Sequence, residues 1–199
     1  MKFIILITLA VFFTGCSEKK DKKLETKSEV INIKPVGTLS SESIYQFKDT
    51  FINQDKIPVT LSKFAGKPTV VAMVFTNCAY ACPRITSDMI ELEKKLKDHE
   101  GKVNFLLVSF DTERDLPDTL KRYAENMNLD KNWSLLHGND DEVRTLSVLL
   151  NIQFAKDPQG NFSHSNIISV LNKDGVLQYQ NEGLNVSQDQ TLAEIKKLL

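Results

Sequence analysis

Residues able to do metal or thiol chemistry are scarce in this chain: three cysteines and three histidines in 199 residues. No second thiol pair or carboxylate–histidine cluster stands ready to complete a four-donor zinc site. Charge of one sign is lacking too. Twenty-five Lys and Arg face 26 Asp and Glu, a formal balance of −1, so no basic face of the kind nucleic acid demands is indicated. The apolar run Phe3–Phe13 falls well short of the ~20 residues a membrane span needs. Internal repeats and low-complexity segments are absent as well. What remains is a domain-sized chain whose 41% apolar content is ample for one core.

The short apolar run has a different meaning. Lys2, the run itself and the small residues Thr14-Gly15 before Cys16 have the order of a secretory signal. The end, Phe13-Thr14-Gly15-Cys16, resembles a bacterial lipobox, whose cysteine is acylated and becomes the mature N-terminus. Residues 1–15 are therefore expected to be a lipoprotein signal peptide, with Cys16 as the lipidated residue. Residues 16–36 are mostly polar, include Lys19-Lys20-Asp21-Lys22-Lys23 and have no aromatic residue. They read as a flexible lipid-anchored tether. The domain, 37–199, then sits in the cell envelope of a bacterium, outside the cytoplasmic membrane. With Cys16 consumed by lipid, Cys78 and Cys82 remain as an even pair in a compartment where disulfides persist.

Hydrophobic patterning outlines an α/β fold. Segments 44–47 and 50–52 and then 57–59, broken by Asn53-Gln54-Asp55, suggest an N-terminal β-hairpin, and Leu61–Phe64 a short helical turn. Thr69–Phe75 and Val103–Phe110 are continuous apolar runs, the mark of parallel strands covered on both faces. Between them Ile85, Met89, Leu92 and Leu96 share a helical face, which predicts a helix from Pro83 to about His99. Helices are also predicted over about 117–127 and 140–150, flanking a short segment around Trp133. Ile167–Leu171 and Val176–Tyr179, joined by Asn172-Lys173-Asp174-Gly175, form a closing hairpin, and Leu192, Ile195 and Leu199 mark a final helix. A thioredoxin-like domain with a mixed β-sheet flanked by helices fits this order best.

At the end of the first apolar strand stands Thr76-Asn77-Cys78-Ala79-Tyr80-Ala81-Cys82-Pro83. Residues four apart on a helix lie about 5–6 Å from one another at Cβ, close enough for a disulfide or for joint metal binding. Pro83 is tolerated in a first helical turn, which puts Cys82 at a helix N-terminus and predicts a stabilised thiolate there. Such a dithiol either exchanges disulfides or holds a soft metal. Three intervening residues, rather than two, depart from the thioredoxin redox motif. A metal needs a third donor. His99 reads as a helix cap and His137 as a turn residue, whereas the loop carrying His164 enters a strand that passes beside the first βα turn. Two thiolates and one imidazole suit Cu(I), and retain Cu(II) with one more ligand.

These segments resemble the Sco/SenC family of copper-handling, thioredoxin-fold proteins. The resemblance rests on Phe75-Thr76-Asn77-Cys78 with Cys82-Pro83, on Val108-Ser109-Phe110-Asp111-Thr112-Glu113-Arg114-Asp115-Leu116-Pro117, on Trp133–Gly138, on Ser163-His164-Ser165 and on Leu171–Gly175. It implies copper held by Cys78, Cys82 and His164, with Asp111 in the shell around the site and Arg114 paired locally with Asp115. It further implies a metallochaperone or thiol-dependent assembly factor for the binuclear copper site of cytochrome c oxidase. Its partners would be the copper-site subunit of the oxidase or another envelope cuproprotein, with a copper donor or thiol reductant upstream. An aspartate commonly precedes the family's histidine; Ser163 stands there in this chain. The alternative use of the same residues is a thiol–disulfide oxidoreductase or peroxidase-like reductant, with Cys78 attacking and Cys82 resolving.

Overall fold

Burial on both faces dictates the middle of the sheet. In this computed structural model, which describes residues 40–199, β3 (Thr69–Val74, numbered in chain order) is buried along its whole length and β4 (Asn104–Ser109) from Phe105 onward. The two run parallel, Thr69 opposite Asn104 and Val74 opposite Ser109. Parallel neighbours need a crossover, supplied here by helix α1 (Ala81–Lys95). A second crossover, α2 (Pro117–Asn126), leads to β5 (Trp133–His137), parallel to β4. An N-terminal hairpin, β1 (Thr50–Asn53) and β2 (Pro58–Thr60), adds antiparallel to β5. On the other side of β3 lie the buried strand β8 (Ile167–Leu171) and β9 (Leu177–Glu182), both antiparallel to their neighbours. The sheet order is β2-β1-β5-β4-β3-β8-β9. Helix α3 (Asp140–Leu149) begins on an Asn139–Glu142 capping box, and α4 (Asp189–Lys197) packs on β8 and β9. Among the described residues no helix is long and apolar enough to cross a membrane.

The expected mixed α/β architecture is therefore present, with four differences of detail. Ile44–Gln46 is a 3-10 turn rather than a strand, because the Ser43 hydroxyl caps it and the Tyr45 hydroxyl is drawn inward to Thr69, 2.9 Å away. Helix α1 starts at Ala81, two residues before Pro83, so the proline is the third helical residue, where its missing N–H still costs nothing. The segment around Trp133 is a full strand of the sheet. The chain before β8 is not a simple loop: β6 (Phe154–Lys156) and β7 (Phe162–His164) make a separate two-stranded hairpin. Its turn closes through the Asp157 carboxylate, which accepts from the Asn161 N–H at 2.8 Å. Cys16 and the tether expected over 16–36 lie outside the described residues.

The parallel strands β3 and β4 end at one edge, and the turns that follow them are brought together there. Phe110 donates its N–H to the Val74 carbonyl at 3.1 Å, which locks these two turns side by side. The other end of the molecule is held by Tyr45 against the turn at Gly175. Gly175 has φ +79°, and a Cβ on it would lie 2.5 Å from a Tyr45 ring carbon. Both the backbone and the packing therefore demand glycine. Replacing it, Gly175→Ala, is expected to lower stability by about 1–3 kcal/mol in chemical denaturation and to leave Cys78 thiol reactivity unchanged, since the two sites lie at different ends of β3 and β8.

Candidate metal centre

Two arms converge at the β3 edge. The first is the loop from Phe75 into α1. As α1 begins, its first N–H groups have no helical partner. The Cys82 N–H uses the Cys78 sulfur as acceptor, at 3.4 Å, and the Phe75 N–H approaches the Cys82 sulfur at 3.4 Å. Cys82 is fully buried under the start of α1, while Cys78 is half-exposed. The second arm is the β6–β7 hairpin, whose last residue is His164. Its Nε2 stands 3.6 Å from the Cys82 sulfur. The Cys78 and Cys82 sulfurs and one His164 ring nitrogen all lie within 4.8 Å of one another, and among the described residues no other group of three such donors is that close.

The imidazole is set for coordination through Nε2. His164 Nδ1 is 3.1 Å from the Ser165 carbonyl oxygen. A carbonyl only accepts, so that contact puts the proton on Nδ1 and leaves the Nε2 lone pair facing the sulfur. The orienting role often filled by an outer carboxylate thus falls to the chain's own backbone, which accommodates Ser163. Aromatic rings wall the site: Phe110 and Phe75 approach the imidazole at 5.0 and 6.2 Å between centroids, and Phe162 lies 4.9 Å from Phe110 and 5.2 Å from Phe75. Soft metal–thiolate bonds of about 2.3 Å, as in zinc sites, place donors about 4 Å apart around one ion. The donor spacing and the S, S, N donor set both fit a single soft metal.

The two thiols are electrostatically unequal, and the helix-terminus expectation applies to the wrong one of them. Burial pushes the Cys82 thiol strongly up, and the neighbouring Cys78 sulfur adds to this; the Phe75 N–H offsets only part. Burial also raises Cys78, more than any other single influence. The N–H groups of Cys82, Tyr80 and Ala81 and the Cys82 thiol together outweigh it, so Cys78 ends below an ordinary thiol. The free donors of α1 therefore stabilise a thiolate on Cys78, which lies ahead of the helix, because Cys82 is inside it and points into the core.

The remaining sequence candidates fall outside the donor group. His99 lies in a 3-10 turn after α1 and His137 ends β5. Trp133 is core, stacked on Phe105 and donating its indole N–H to Glu93. Asp111 is fully buried and gives both carboxylate oxygens to Arg114, one to its backbone N–H and one to Nε. Arg114 thus pairs with Asp111 and not, as expected, with Asp115; Asp115 turns inward to Thr76 and Ser109. The aromatic wall was not anticipated from the sequence, although Phe75 and Phe110 at matching strand ends, and Phe162 two residues before His164, are the pattern that announces it.

A protein-family model for SCO1/SenC matches residues 40–199. Among solved structures, a SCO1/SenC family lipoprotein from Bacillus anthracis superposes with a TM-score of 0.70 at 27% identity, covering 75% of this chain and 92% of that one. The ScoI protein of Bradyrhizobium japonicum with copper bound is 25% identical, with a TM-score of 0.61 over 75% of this chain and 96% of that one. BsSco is described as a member of the Sco family of cytochrome c oxidase assembly proteins in which a disulfide switch has been identified. It is 29% identical, with a TM-score of 0.66 over 77% of this chain and 97% of that one.

Exposure and charge make a simple chemical prediction. In the reduced protein, iodoacetamide is expected to modify Cys78 well before Cys82. The rate at Cys78 is expected to rise with pH to a midpoint below that of a free thiol, because the thiolate is the reactive form. Mass spectrometry of peptides after timed quenching reads both; equal labelling of the two cysteines would contradict the assignment.

Proposed function

The chain belongs to the SCO1/SenC family, and from that premise we propose that it is a copper-binding assembly factor of the bacterial cell envelope. One observation carries this reading: two thiols and one correctly oriented imidazole nitrogen within 4.8 Å of each other. Cys78, Cys82 and His164 are the ligands. Two thiolates and an imidazole satisfy Cu(I) without a fourth protein group. The half-exposed Cys78 and His164 leave the ion reachable from one side, so a partner with its own ligands can take it by stepwise exchange. The client in this reading is the subunit of cytochrome c oxidase that carries the binuclear copper site, or another envelope cuproprotein. Lipidation of Cys16 keeps the domain near membrane-bound clients, with residues 16–36 as the tether.

The inequality of the thiols supports a second use of the same pair. A half-exposed, thiolate-prone Cys78 beside a buried Cys82 is the arrangement of an attacking and a resolving cysteine. Cys78 would attack a client disulfide, forming a mixed disulfide and releasing one client thiolate. Cys82 would then attack the Cys78 sulfur and release the second. Two electrons pass to the client and the Cys78–Cys82 disulfide remains. The roles combine naturally if the protein reduces the cysteines of a client before metallating them.

Copper binding separates the readings. The reduced domain is expected to take up one Cu(I) per chain in competition with a chromogenic chelator. Affinity should rise with pH, because the thiols must lose their protons to bind. His164→Ala is expected to weaken binding by more than about ten-fold, at least the loss seen for outer-shell partners, while leaving Cys78 alkylation intact. Unchanged affinity would remove His164 from the coordination sphere, and absence of binding in the parent protein would leave disulfide exchange as the function.

A further inference from the structure

The two arms of the site belong to different parts of the fold, and neighbouring residues of one segment hold them both. Between β4 and α2 the chain runs from Ser109 to Leu116. Asp115 is fully buried there and, among the described residues, forms no salt bridge. Its Oδ2 accepts from the Thr76 N–H at 2.8 Å and from the Ser109 hydroxyl at 2.6 Å, and its Oδ1 accepts from the Thr76 hydroxyl at 2.5 Å. Thr76 lies between Phe75, whose N–H meets the Cys82 sulfur, and Cys78. An unpaired carboxylate is costly to bury, so three donors focused on it make a stiff node. Its location puts that stiffness into the thiol arm.

Arg114, the preceding residue, points the other way. Asp111 holds its Nε, and Nη2 donates to the Gly160 carbonyl at the tip of the β6–β7 hairpin, 2.5 Å away. Its guanidinium also lies over the Phe162 ring, 5.9 Å from the centroid. Gly160 has φ +82°, and a Cβ on it would lie 3.5 Å from Arg114 Nη1, in ordinary van der Waals contact, so the tip of the turn packs against the arginine. Phe162 and His164 share β7. The bonds from Arg114 therefore reach the imidazole arm and not the thiols. Because a two-stranded hairpin alone is marginal in water, its position depends on what clamps it.

We infer that Arg114 and Asp115 are positioning residues that set the gap between the imidazole and the two sulfurs, Arg114 by gripping the hairpin and Asp115 by fixing the thiol loop. The inference rests on the copper reading for its consequence, though not for the mechanics. It differs from a general stabilising role because the two residues act on separate arms. Loss of Arg114 matters to an ion only while His164 is present, whereas loss of Asp115 matters with or without it. Asn can replace Asp115 with every partner kept: its oxygen accepts from the Thr76 N–H and the Ser109 hydroxyl, and its amide donates to a rotated Thr76 hydroxyl.

The test uses full-length reduced protein, with Cu(I) competition titrations and hydrogen exchange. Arg114→Ala is expected to lower Cu(I) affinity by about 10–100-fold and to speed amide exchange in residues 154–156 and 162–164 by about ten-fold or more, with β3 and β4 unchanged. In a His164→Ala background the same substitution is expected to change affinity by less than two-fold. Asp115→Ala is expected to alter the Cys78 alkylation rate and to weaken copper binding in both backgrounds, with Asp115→Asn restoring both. Should Asp115→Ala fail to fold, Asp115→Asn matching the parent while Thr76→Val reproduces the defect carries the same information. Equal loss of affinity from Arg114→Ala with and without His164, or unaltered hairpin exchange, overturns the proposal. If the parent protein binds no Cu(I), the functional reading fails by itself, and hydrogen exchange and alkylation still decide whether the two arms are held as described.

Discussion

The start of α1 is the constraint on which the site depends. A helix that begins at the edge of a buried parallel strand presents N–H groups with nothing in the helix to accept them. Here the Cys82 N–H turns to the Cys78 sulfur, while the Cys82 sulfur is carried under the helix and meets the Phe75 N–H. The backbone thus fixes both sulfurs before any metal or partner is considered. It also makes them different. Cys78 collects the free donors of the helix and faces water, whereas Cys82 sits in the core and resists ionisation.

The imidazole reaches those sulfurs by a different route. The β6–β7 hairpin is not part of the main sheet, and it is applied to the edge of the fold by rings: Phe162 lies against Phe75 and Phe110, and Phe154 stacks on Phe110 at 5.2 Å. Lys156 ties the same hairpin to Glu113 at 2.7 Å. Aromatic contacts of this kind contribute about 0.5–1.5 kcal/mol each beyond area burial, so the hairpin is held by several modest interactions rather than by a ladder of backbone bonds. The candidate site is thus assembled from one arm fixed by backbone hydrogen bonds and one arm clamped by side chains.

The elements most legible in the chain were those with strong periodicity. The continuous apolar runs 69–75 and 103–110 read as strands covered on both faces, and the stripe Ile85, Met89, Leu92 and Leu96 as a helix between them. A β-α-β unit with two cysteines at its turn followed from local pattern. Less legible were elements whose form is set by distant partners. Ile44–Gln46 is a 3-10 turn because Ser43 and Tyr45 find acceptors at Asp174, Phe64 and Thr69. The three-residue strands β6 and β7 are too short to show an alternating pattern. The pairing of Arg114 with Asp111 rather than Asp115 depended on which carboxylate faced Thr76, a contact made across 39 positions.

By itself, the sequence determined that two thiols would stand at a strand–helix junction, because hydrophobic period and proline placement act within a few residues of each other. It also narrowed the third donor to one histidine among three. Only the tertiary structure decided that the His164 Nε2 faces those sulfurs, that the Ser165 carbonyl orients the ring in place of a carboxylate, and that Cys78 rather than Cys82 is the more exposed thiol and the one whose ionisation is favoured. Those outcomes depend on burial, on hydrogen-bond direction and on packing between segments 82 residues apart, quantities that exist only once the chain has closed on itself.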